Sequence, residues 1–412
     1  MSDESADNDE VRRTVEAVAR DSYGRLVAWL AKRLRDVAAA EDAVGDAFVA
    51  ALSTWPRDGL PDQPEAWLLT TARNRLNERY RRERTAATAH ARALQLLAER
   101  AERAAAGTAF PDERLGLMFA SAHPAIDAAA RTPLILQTVL GLDAAAIARA
   151  FLVAPSTMGQ RLVRAKAKIR DAAIAFEVPE PHELPERLEA VLESIYAVYG
   201  GGWGDAAGAD PRARGLADEA LWLARVLAGL LPDEPETRGL LALILFCEAR
   251  RPARRAADGS YVPLSLQDPD HWDHAQIADA EAHLAAAARS GRPGRFQLEA
   301  AIQSVHADRA QSGRIEWAAI AALYDELVRI APTLGALVGR AAAVAEVHGP
   351  AAALLRLDQI ESDAVAGYQP YWAVRAHLLQ RLGDPGAAAA FDRAIDLAED
   401  PALRTFLLGR RA

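Results

Sequence analysis

Apolar residues recur every three to four positions along most of the chain, which is the spacing of amphipathic α-helices. Alanine, leucine and arginine predominate, and runs of β-branched residues are scarce, which also favours helix. Clusters of glycine and proline separate the helical segments at residues 57–64, 104–112, 178–185 and 200–208. We therefore predict an all-α protein. The irregular segment 254–272 is the one place where the pattern allows a strand or hairpin.

Paired helices are predicted for the last hundred residues. Residues 315–330 and 333–348 form one pair around Pro332, and residues 371–382 and 386–398 form another. Helix pairs that recur about every 30 to 40 residues are typical of stacked helical repeats.

Composition excludes several classes of protein. Apolar residues make up 51% of the 412 residues and charged residues 25%, so the chain can bury a core and wholesale disorder is not expected. The single cysteine, Cys247, excludes a disulfide framework and a cysteine-based zinc module. The apolar run from Leu240 to Cys247 is too short to cross a bilayer, and the acidic N-terminus lacks the apolar core of a signal peptide. We expect a cytoplasmic protein with no membrane segment.

Charge is distributed unevenly along the chain. The front part, residues 1–171, has a net charge of +2, and the rear part, residues 172–412, has −11, which together give the overall −9. Without its acidic first ten residues the front part has +7. This pattern indicates that the front part meets a polyanion, whereas the rear part binds protein or folds back on the front.

Residues 143–170 carry the sharpest local signal. Asp143 can cap a helix with Ile147, Ala148 and Phe151 on its apolar face, and Pro155 suits the first turn of a second helix after a short turn. The second helix is predicted to bury Met158, Leu162, Val163 and Ile169. From Pro155 to Arg170 it holds five basic residues and no acid. This is a helix-turn-helix that can enter a major groove; the alternative is a helical hairpin with a solvated charged face.

A second basic helix is predicted over residues 67–84. From Arg73 to Arg84 it has six arginines against two glutamates, interleaved with Asn74 and Asn77. Trp67, Leu68, Ala72, Leu76 and Tyr80 recur at helical spacing and indicate the packed face. Its polar face is expected to contact nucleic acid.

Two sets of motifs resemble a known family. Residues 40–48 (AEDAVGDAF), 66–74 (AWLLTTARN) and the basic run 79–84 resemble region two of the bacterial extracytoplasmic-function (ECF) sigma factors. Residues 112–115 (DERL), 145–151, 151–158 and 160–166 resemble region four of the same family. Both appear in the family's order, although Gly45 and Gly159 depart from its pattern.

The rear part resembles the subgroup of these factors that has a long C-terminal extension with tetratricopeptide-like (TPR-like) repeats. The matching segments are 184–188, 231–235, 249–254, 300–306, 317–324 and 344–347. The subgroup's acidic loop corresponds to residues 258–273, where the residues that fit include Asp258, Gly259, Asp268, Trp272 and Asp273. Ser265, Leu266 and Pro269 depart from it, so the polar contact that this loop makes elsewhere is open here.

The resemblance implies a protein that binds core RNA polymerase and promoter DNA, with no catalysis and no cofactor or metal. It implies that Asp42, Asp46 and Phe48 dock on the β′ clamp. It also implies that the 57–64 loop, which includes Arg57, receives a base flipped from the −10 element, with Asn74, Arg75 and Asn77 near the strand. Region four is expected to lie at the β flap and to read the −35 element.

The residues expected at the −35 element are Ser156, Thr157, Gln160, Arg161, Arg164, Lys166 and Lys168. Gln160 can pair with adenine, and Arg161 or Arg164 with guanine, whereas Lys166 and Lys168 suit phosphates. The expected organisation is a tail (1–20), region two (21–92), a linker (93–111), region four (112–178), a helical extension (179–312) and TPR-like repeats (313–412).

Two alternatives from other classes stay open. A helix-turn-helix regulator with a TPR-like sensor domain would need no region-two motif. A metalloenzyme is the other, because His271 and His274 lie beside Asp268, Asp270 and Asp273. Within the repeats, Trp317, Tyr324, Tyr371 and Trp372 are candidates to line a binding groove.

Overall fold

The computed structural model describes residues 15, 18, 22–82, 113–151, 153–180, 182–203 and 211–411. Within these ranges the regular structure is helical, apart from one isolated bridge between Arg255 and Tyr261. The prediction of an all-α protein is therefore confirmed. None of the helices in these ranges is long and apolar enough to span a bilayer.

The chain divides into two compact units. Unit 1 ends at Ala197 and unit 2 begins at Val198. The division falls inside a helix that begins at Leu184, after the proline-rich segment 178–185 that marks the predicted change of domain. The predicted linker 93–111 lies outside the described residues.

The described residues of unit 1 before Leu184 contain seven helical segments. They are α1 (22–34), α2 (Val37–Asp58), α3 (Pro64–Arg82), α4 (Arg114–Ser121), α5 (Ala128–Leu140), α6 (Ala144–Ala150) and α7 (Pro155–Asp171). Asp36 caps α2 by accepting a hydrogen bond from the Ala39 amide, and Asp143 accepts one from the Ala146 amide, as its predicted capping role requires. Gly141 ends α5 with a φ of +66°, a left-handed conformation that suits glycine.

The α1–α3 bundle (22–82) forms the first packing group of unit 1. Its core includes Trp55, Leu68 and Leu76, and Trp67 lies edge-on to Trp55 with ring centroids 5.5 Å apart. Glu65 of α3 holds α1, because its carboxylate accepts hydrogen bonds from the Ser22 hydroxyl and the Arg25 guanidinium. Of the predicted packed face of the basic helix, Leu68, Ala72 and Leu76 are buried and Trp67 is half-buried, and the Tyr80 side chain lies outside the described residues.

The loop predicted at 57–64 is shorter than expected. Helix α2 continues through Pro56 to Asp58, so Arg57 lies in its last turn and donates a hydrogen bond to the Ser53 carbonyl. Pro56 has no N–H to donate to the carbonyl four residues earlier, and the helix ends two residues after it. The loop itself comprises residues 59–63, and Gly59 begins it at a φ of +82°.

The α4–α7 bundle (114–171) is the second packing group. Helix α5 contacts α4, α6 and α7, and α6 packs against α7. Phe119, Leu134, Ile147 and Met158 are buried in its core. A short connection joins α6 to α7 where the turn of the helix-turn-helix is predicted, and Leu152 within it lies outside the described residues.

Helix α8 (Leu184–Trp203) spans the division between the units, and the remaining helices belong to unit 2. They are α9 (Pro211–Leu230), α10 (Pro235–Ala249), α11 (His274–Ala288), α12 (Arg295–Ala307), α13 (Arg309–Ser312), α14 (Trp317–Ile330), α15 (Leu334–His348), α16 (Pro350–Leu357), α17 (Ser362–Val365), α18 (Gln369–Leu382), α19 (Ala387–Asp396) and α20 (Pro401–Arg411). The break predicted at residues 200–208 begins too early, because residues 200–203 belong to α8.

Helix α10 is the centre of the first half of unit 2. Residues 240–246 are all buried, and α9, α11 and α12 pack around the helix. Gly239 allows α12 to approach closely, since a Cβ there would lie 2.7 Å from the Gln297 backbone nitrogen. The nearby Glu236 carboxylate accepts hydrogen bonds from the Phe296 and Gln297 amides and so caps the start of α12.

Segment 254–272 contains no strand. It is built from the 3₁₀ turns Arg251–Arg254, Leu264–Leu266 and Pro269–His271, with the Arg255–Tyr261 bridge as its one extended pairing. Prolines and closely spaced capping aspartates favour such turns over a ladder of hydrogen bonds. The predicted hairpin is therefore reduced to a single bridge.

Paired helices occupy the last hundred residues as predicted. The pairs α14–α15 and α18–α19 each pack closely, and successive helices bury separate apolar clusters along the chain. The four candidate groove aromatics belong to these cores: Trp317 and Tyr324 pack in one, and Tyr371 and Trp372 in the next. Trp372 also donates its ring N–H to the Val365 carbonyl. They therefore stabilise the helix pairs.

Candidate nucleic-acid interface

Helix α7 presents a polar face beside a narrow apolar one. Met158, Leu162, Ala165 and Ile169 are buried, at the i, i+4, i+7, i+11 spacing of one helix face. Val163 is 65% exposed, so its predicted burial is wrong. It follows Leu162 by one residue, or about 100° around the helix, and therefore points away from the core.

The prediction that Phe151 lies on the apolar face of α6 is also wrong. It lies just past the end of α6, in the turn, and is 37% exposed. Ile147 and Ala148 are buried as predicted. The exposed surface at this helix pair thus carries two large apolar side chains, Phe151 and Val163, among polar ones.

Most of the residues predicted to read DNA lie on the open side of α7. Ser156, Thr157, Gln160, Arg164 and Lys168 are exposed, and Arg161 is half-buried. Arg161, Arg164 and Lys168 line a groove of about 190 Å³ whose opposite wall comes from residues 125–130. Their positive charges therefore lie together on one face, which is the arrangement that phosphates and guanine edges require.

Lys166 has a different environment from the other basic residues of α7. Its ammonium donates a hydrogen bond to Glu41 Oε2 of α2 at 2.7 Å, and the two side chains are only 15% and 11% exposed. Lys166, which was predicted to contact phosphate, is therefore paired with Glu41 inside unit 1. Burial raises the pKa of Glu41, and the adjacent Lys166 charge opposes that shift.

Two of the three residues predicted to dock on polymerase share one side of α2. Asp42 and Asp46 are exposed there, one turn apart, whereas Phe48 is half-buried on a different face of the helix. The same exposed stripe continues into Val49 and Leu52, which are 67% and 46% exposed. The sequence analysis did not single out these two, although they follow Asp42 at i+7 and i+10. The stripe combines acidic and apolar side chains, as protein interfaces commonly do.

Helix α3 supplies the residues predicted at the −10 element. Asn74 and Arg75 are exposed and Asn77 is half-buried, and Arg75 pairs loosely with Glu78 at 3.5 Å. They lie beyond the first turn of α3, which follows the 59–63 loop directly. The side chains of residues 79–84, which hold much of the predicted basic run, lie outside the described residues.

The 258–273 loop of unit 2 is held by its own polar residues. Asp258 accepts a hydrogen bond from the Ser260 amide, and its bonds to Ser260 lower its pKa. Gly259 takes a φ of +81° at the tip, which suits glycine. Asp268 caps the 3₁₀ turn Pro269–His271 by accepting a hydrogen bond from the Asp270 amide, and Asp273 caps α11 by accepting one from the Gln276 amide.

Arg309 of α13 stabilises this loop by hydrogen bonds to its backbone. Its guanidinium donates to the carbonyls of Ser265 and Gln267 at 2.6 and 2.5 Å and lies 5.1 Å from the ring of Trp272, which is buried. The loop is therefore a fixed structure with exposed aspartates.

The loop does not assemble a metal site. The nearest approach between its histidines and aspartates is a 4.0 Å pair, His271 with Asp268. In the described part of the chain, no group of three or more histidine, cysteine or acidic side chains is arranged to hold a metal ion. The metalloenzyme alternative therefore has no geometric support in these ranges.

Comparison with known proteins finds two family models along the chain. The model of sigma-70 region 2 matches residues 19–86, and that of a family of unknown function, DUF6596, matches residues 187–288. The chain is 38% identical over 374 residues to the uncharacterized protein R00370 of Rhizobium meliloti (strain 1021), which covers 90% of this chain and 88% of that protein. No solved structure gives a significant match.

The matched segments can be placed on the fold. The sigma-70 region 2 match contains α1, α2 and α3, and with them the acidic stripe of α2 and the polar face of α3. The DUF6596 match runs from α8 to α11 and contains the 258–273 loop. The α4–α7 bundle lies between the two matches.

Proposed function

Because the chain belongs to the same family as R00370 and carries the region 2 of a sigma-70 family factor, we propose that it is an ECF-type sigma factor. Such a factor binds core RNA polymerase and directs transcription initiation. One observation carries the proposal: the region 2 match and the exposed basic face of α7 lie in the same compact unit. Promoter recognition needs both a strand-trapping surface and a groove-reading helix.

Region 2 supplies the polymerase contact and the −10 contact. Asp42 and Asp46 face basic groups of the β′ clamp, and Val49 adds apolar area to the same stripe. The 59–63 loop accepts an unstacked base of the −10 element, while Asn74 and Arg75 contact the strand. Arg57, at the end of α2, lies at the rim of that loop. This assignment is supported by the exposure of these side chains.

The α6–α7 pair acts as region four and reads the −35 element beside the β flap. Gln160, Arg161 and Arg164 project from the open side of α7 toward base edges, and Lys168 contacts phosphate. Ser156 and Thr157 at the N-terminus of α7 contact the backbone, where the helix dipole favours phosphate.

The rear part, with its TPR-like helix pairs, supports the front part and offers a protein-binding surface. Its net charge of −11 is unfavourable for binding DNA. R00370 aligns with both halves of the chain, which supports a joint role for them. The protein acts in the cytoplasm, where core polymerase is found, and no catalytic step or cofactor is assigned to it.

Copurification with core polymerase tests the proposal against a helix-turn-helix regulator. We expect tagged full-length chain to retain purified core polymerase in stoichiometric amount at moderate salt. A chain that binds promoter DNA specifically but leaves core polymerase unbound would favour the regulator.

We predict that two kinds of variant in α7 separate base reading from phosphate contact. Gln160→Ala or Arg161→Ala changes the preference at one defined −35 base by about 1–3 kcal/mol, because a bidentate base contact is lost. Lys168→Ala weakens binding to all promoters alike and lowers the salt dependence by about one charge. Binding to a set of single-base promoter variants at several salt concentrations measures both effects. Uniform losses for all three variants would contradict the assignment of base readers.

A further inference from the structure

The most exposed large apolar side chain among the described residues lies in the 258–273 loop of unit 2. Leu266 is 72% exposed, at the end of the 3₁₀ turn Leu264–Leu266. A single exposed leucine is common on protein surfaces and alone indicates nothing. Leu266 differs from such residues in the way that the fold holds its backbone.

Hydrogen bonds fix the main chain on both sides of Leu266. The Arg309 guanidinium donates to the carbonyls of Ser265 and Gln267, the two residues that flank it. The Leu266 amide donates to the Pro263 carbonyl at 2.8 Å, and the Gln267 amide donates to the same oxygen at 3.1 Å. The Leu266 side chain therefore projects into solvent from a backbone that is already ordered in the free chain.

Both ends of the loop are also attached to helices of unit 2. Near its start, Tyr261 packs edge-on against Phe406 of α20, with ring centroids 5.4 Å apart. Just before the loop, Arg255 forms a 2.5 Å ion pair with Asp400, which caps α20. At the other end, the amide of the last loop residue donates to the Ala249 carbonyl of α10 at 2.9 Å. The loop is thus held by α10, α13 and α20, which are far apart in sequence.

The surface around Leu266 is acidic. Residues 258–273 contain four aspartates and no lysine or arginine, which gives a net charge of −4, and all four aspartates are exposed. Asp268 and Asp270 follow Leu266 by two and four residues. Such a surface repels nucleic acid and anionic lipid. It fits a basic protein surface that offers a pocket for one aliphatic side chain.

The size of the loop indicates a second contact with a partner that the chain already holds. A stable interface buries about 800 Å² on each partner and involves about 20 to 30 residues a side, more than this 16-residue loop can present. A small surface contributes strongly when another part of the chain binds the same partner, because the second contact then forms within one complex. In the proposed function that partner is core polymerase, which binds nucleic acid and therefore carries basic surface.

We propose that the 258–273 loop is a pre-ordered docking surface for core RNA polymerase, with Leu266 as its apolar anchor and Asp268 and Asp270 as its acidic rim. Arg309 is the residue that positions the anchor. The inference rests on the proposed function. Because the loop is ordered before docking, little conformational entropy is lost when it binds. Leu266 departs from the loop pattern of the subgroup that the chain resembles, so that pattern does not by itself predict this anchor.

Removing the anchor tests the proposal on the full chain. Leu266→Ala shortens the side chain and keeps the main-chain hydrogen bonds that fix the loop. Leu355→Ala is the matched control, since Leu355 is 67% exposed in α16 of the same unit. We expect Leu266→Ala to raise the dissociation rate of the chain from immobilised core polymerase about tenfold with the association rate unchanged, and Leu355→Ala to change neither.

A double-mutant cycle tests the positioning role of Arg309. Arg309→Lys keeps the positive charge but replaces a planar fork that reaches two carbonyls by a single ammonium group. We expect it to raise the dissociation rate about fivefold in the unaltered chain and to add nothing in the Leu266→Ala background. Equal effects in the two backgrounds would mean that Arg309 stabilises the fold without acting through Leu266, and would contradict its positioning role.

Equal dissociation rates for Leu266→Ala and Leu355→Ala would overturn the proposal. So would a change confined to self-association of the chain in sedimentation, because the surface would then belong to an interface between copies. If the unaltered chain does not bind core polymerase, the proposed function fails and this inference fails with it. Binding that is indifferent to Leu266 overturns the inference alone, so the two failures can be told apart.

Discussion

Replacing Asp46 by lysine is expected to weaken binding of the chain to core RNA polymerase by roughly a hundredfold, or about 2.7 kcal/mol. Asp46 is exposed on the stripe of α2 that continues into Val49 and Leu52. A lysine there would face the basic groups proposed on the clamp, and like charges brought together at an interface cost several kcal/mol. Equilibrium binding of labelled chain to core polymerase measures the loss.

A matched charge reversal makes the result specific. Glu177→Lys changes charge by the same amount at an exposed position of unit 1 outside the stripe, and we expect it to bind within about twofold of the unaltered chain. Equal affinities for Asp46→Lys and Glu177→Lys would contradict the assignment of α2 as the docking helix.

Removing the rear part beyond α8, residues 204–412, is expected to lower transcription by at least about tenfold. The fragment should end after Trp203, at the end of α8, because Leu184 and Leu188 of this helix are buried and a cut at Val178 would delete them. Unit 2 is larger than the α1–α3 and α4–α7 bundles together and carries a net charge opposite to theirs, so we expect it to present surface to polymerase without competing for DNA. Run-off transcription by the fragment and the full chain gives the ratio.

Folding of the fragment must be checked by circular dichroism. A helical fragment that transcribes as well as the full chain would contradict a supporting role for the rear part. A fragment that transcribes better would instead indicate that the rear part masks the front.

Helix positions could be predicted from the sequence because they depend on local information. The predicted helices 315–330 and 333–348 agree with α14 and α15 to within about two residues, since capping and turn residues mark their ends. The Asp143 cap and the buried face of α3 were predicted on the same basis. Local signals failed at Val163, where a shift of one residue moves a side chain from the buried face of the helix to the exposed one. They also failed at Pro56, where the helix continues past a proline that was expected to lie at its end.

Tertiary pairings could not be predicted from this sequence by such patterns. Lys166 and Glu41 are 125 residues apart, and each has a simpler local explanation as a solvated charge on a helix. The close approaches of Gly24 to Val139 and of Gly141 to Tyr23 likewise have no signal in the local sequence. The candidate site was thus predicted residue by residue, whereas the contact that joins its two halves needed the fold.

Run-off transcription with purified core polymerase tests the central claim most directly. A randomised promoter library is transcribed with and without the full chain, and the transcripts are sequenced. We predict new start sites that share two conserved elements at a fixed spacing and that are lost with Asp46→Lys. Transcripts identical in number and start site with and without the chain would contradict the assignment of this protein as a sigma factor.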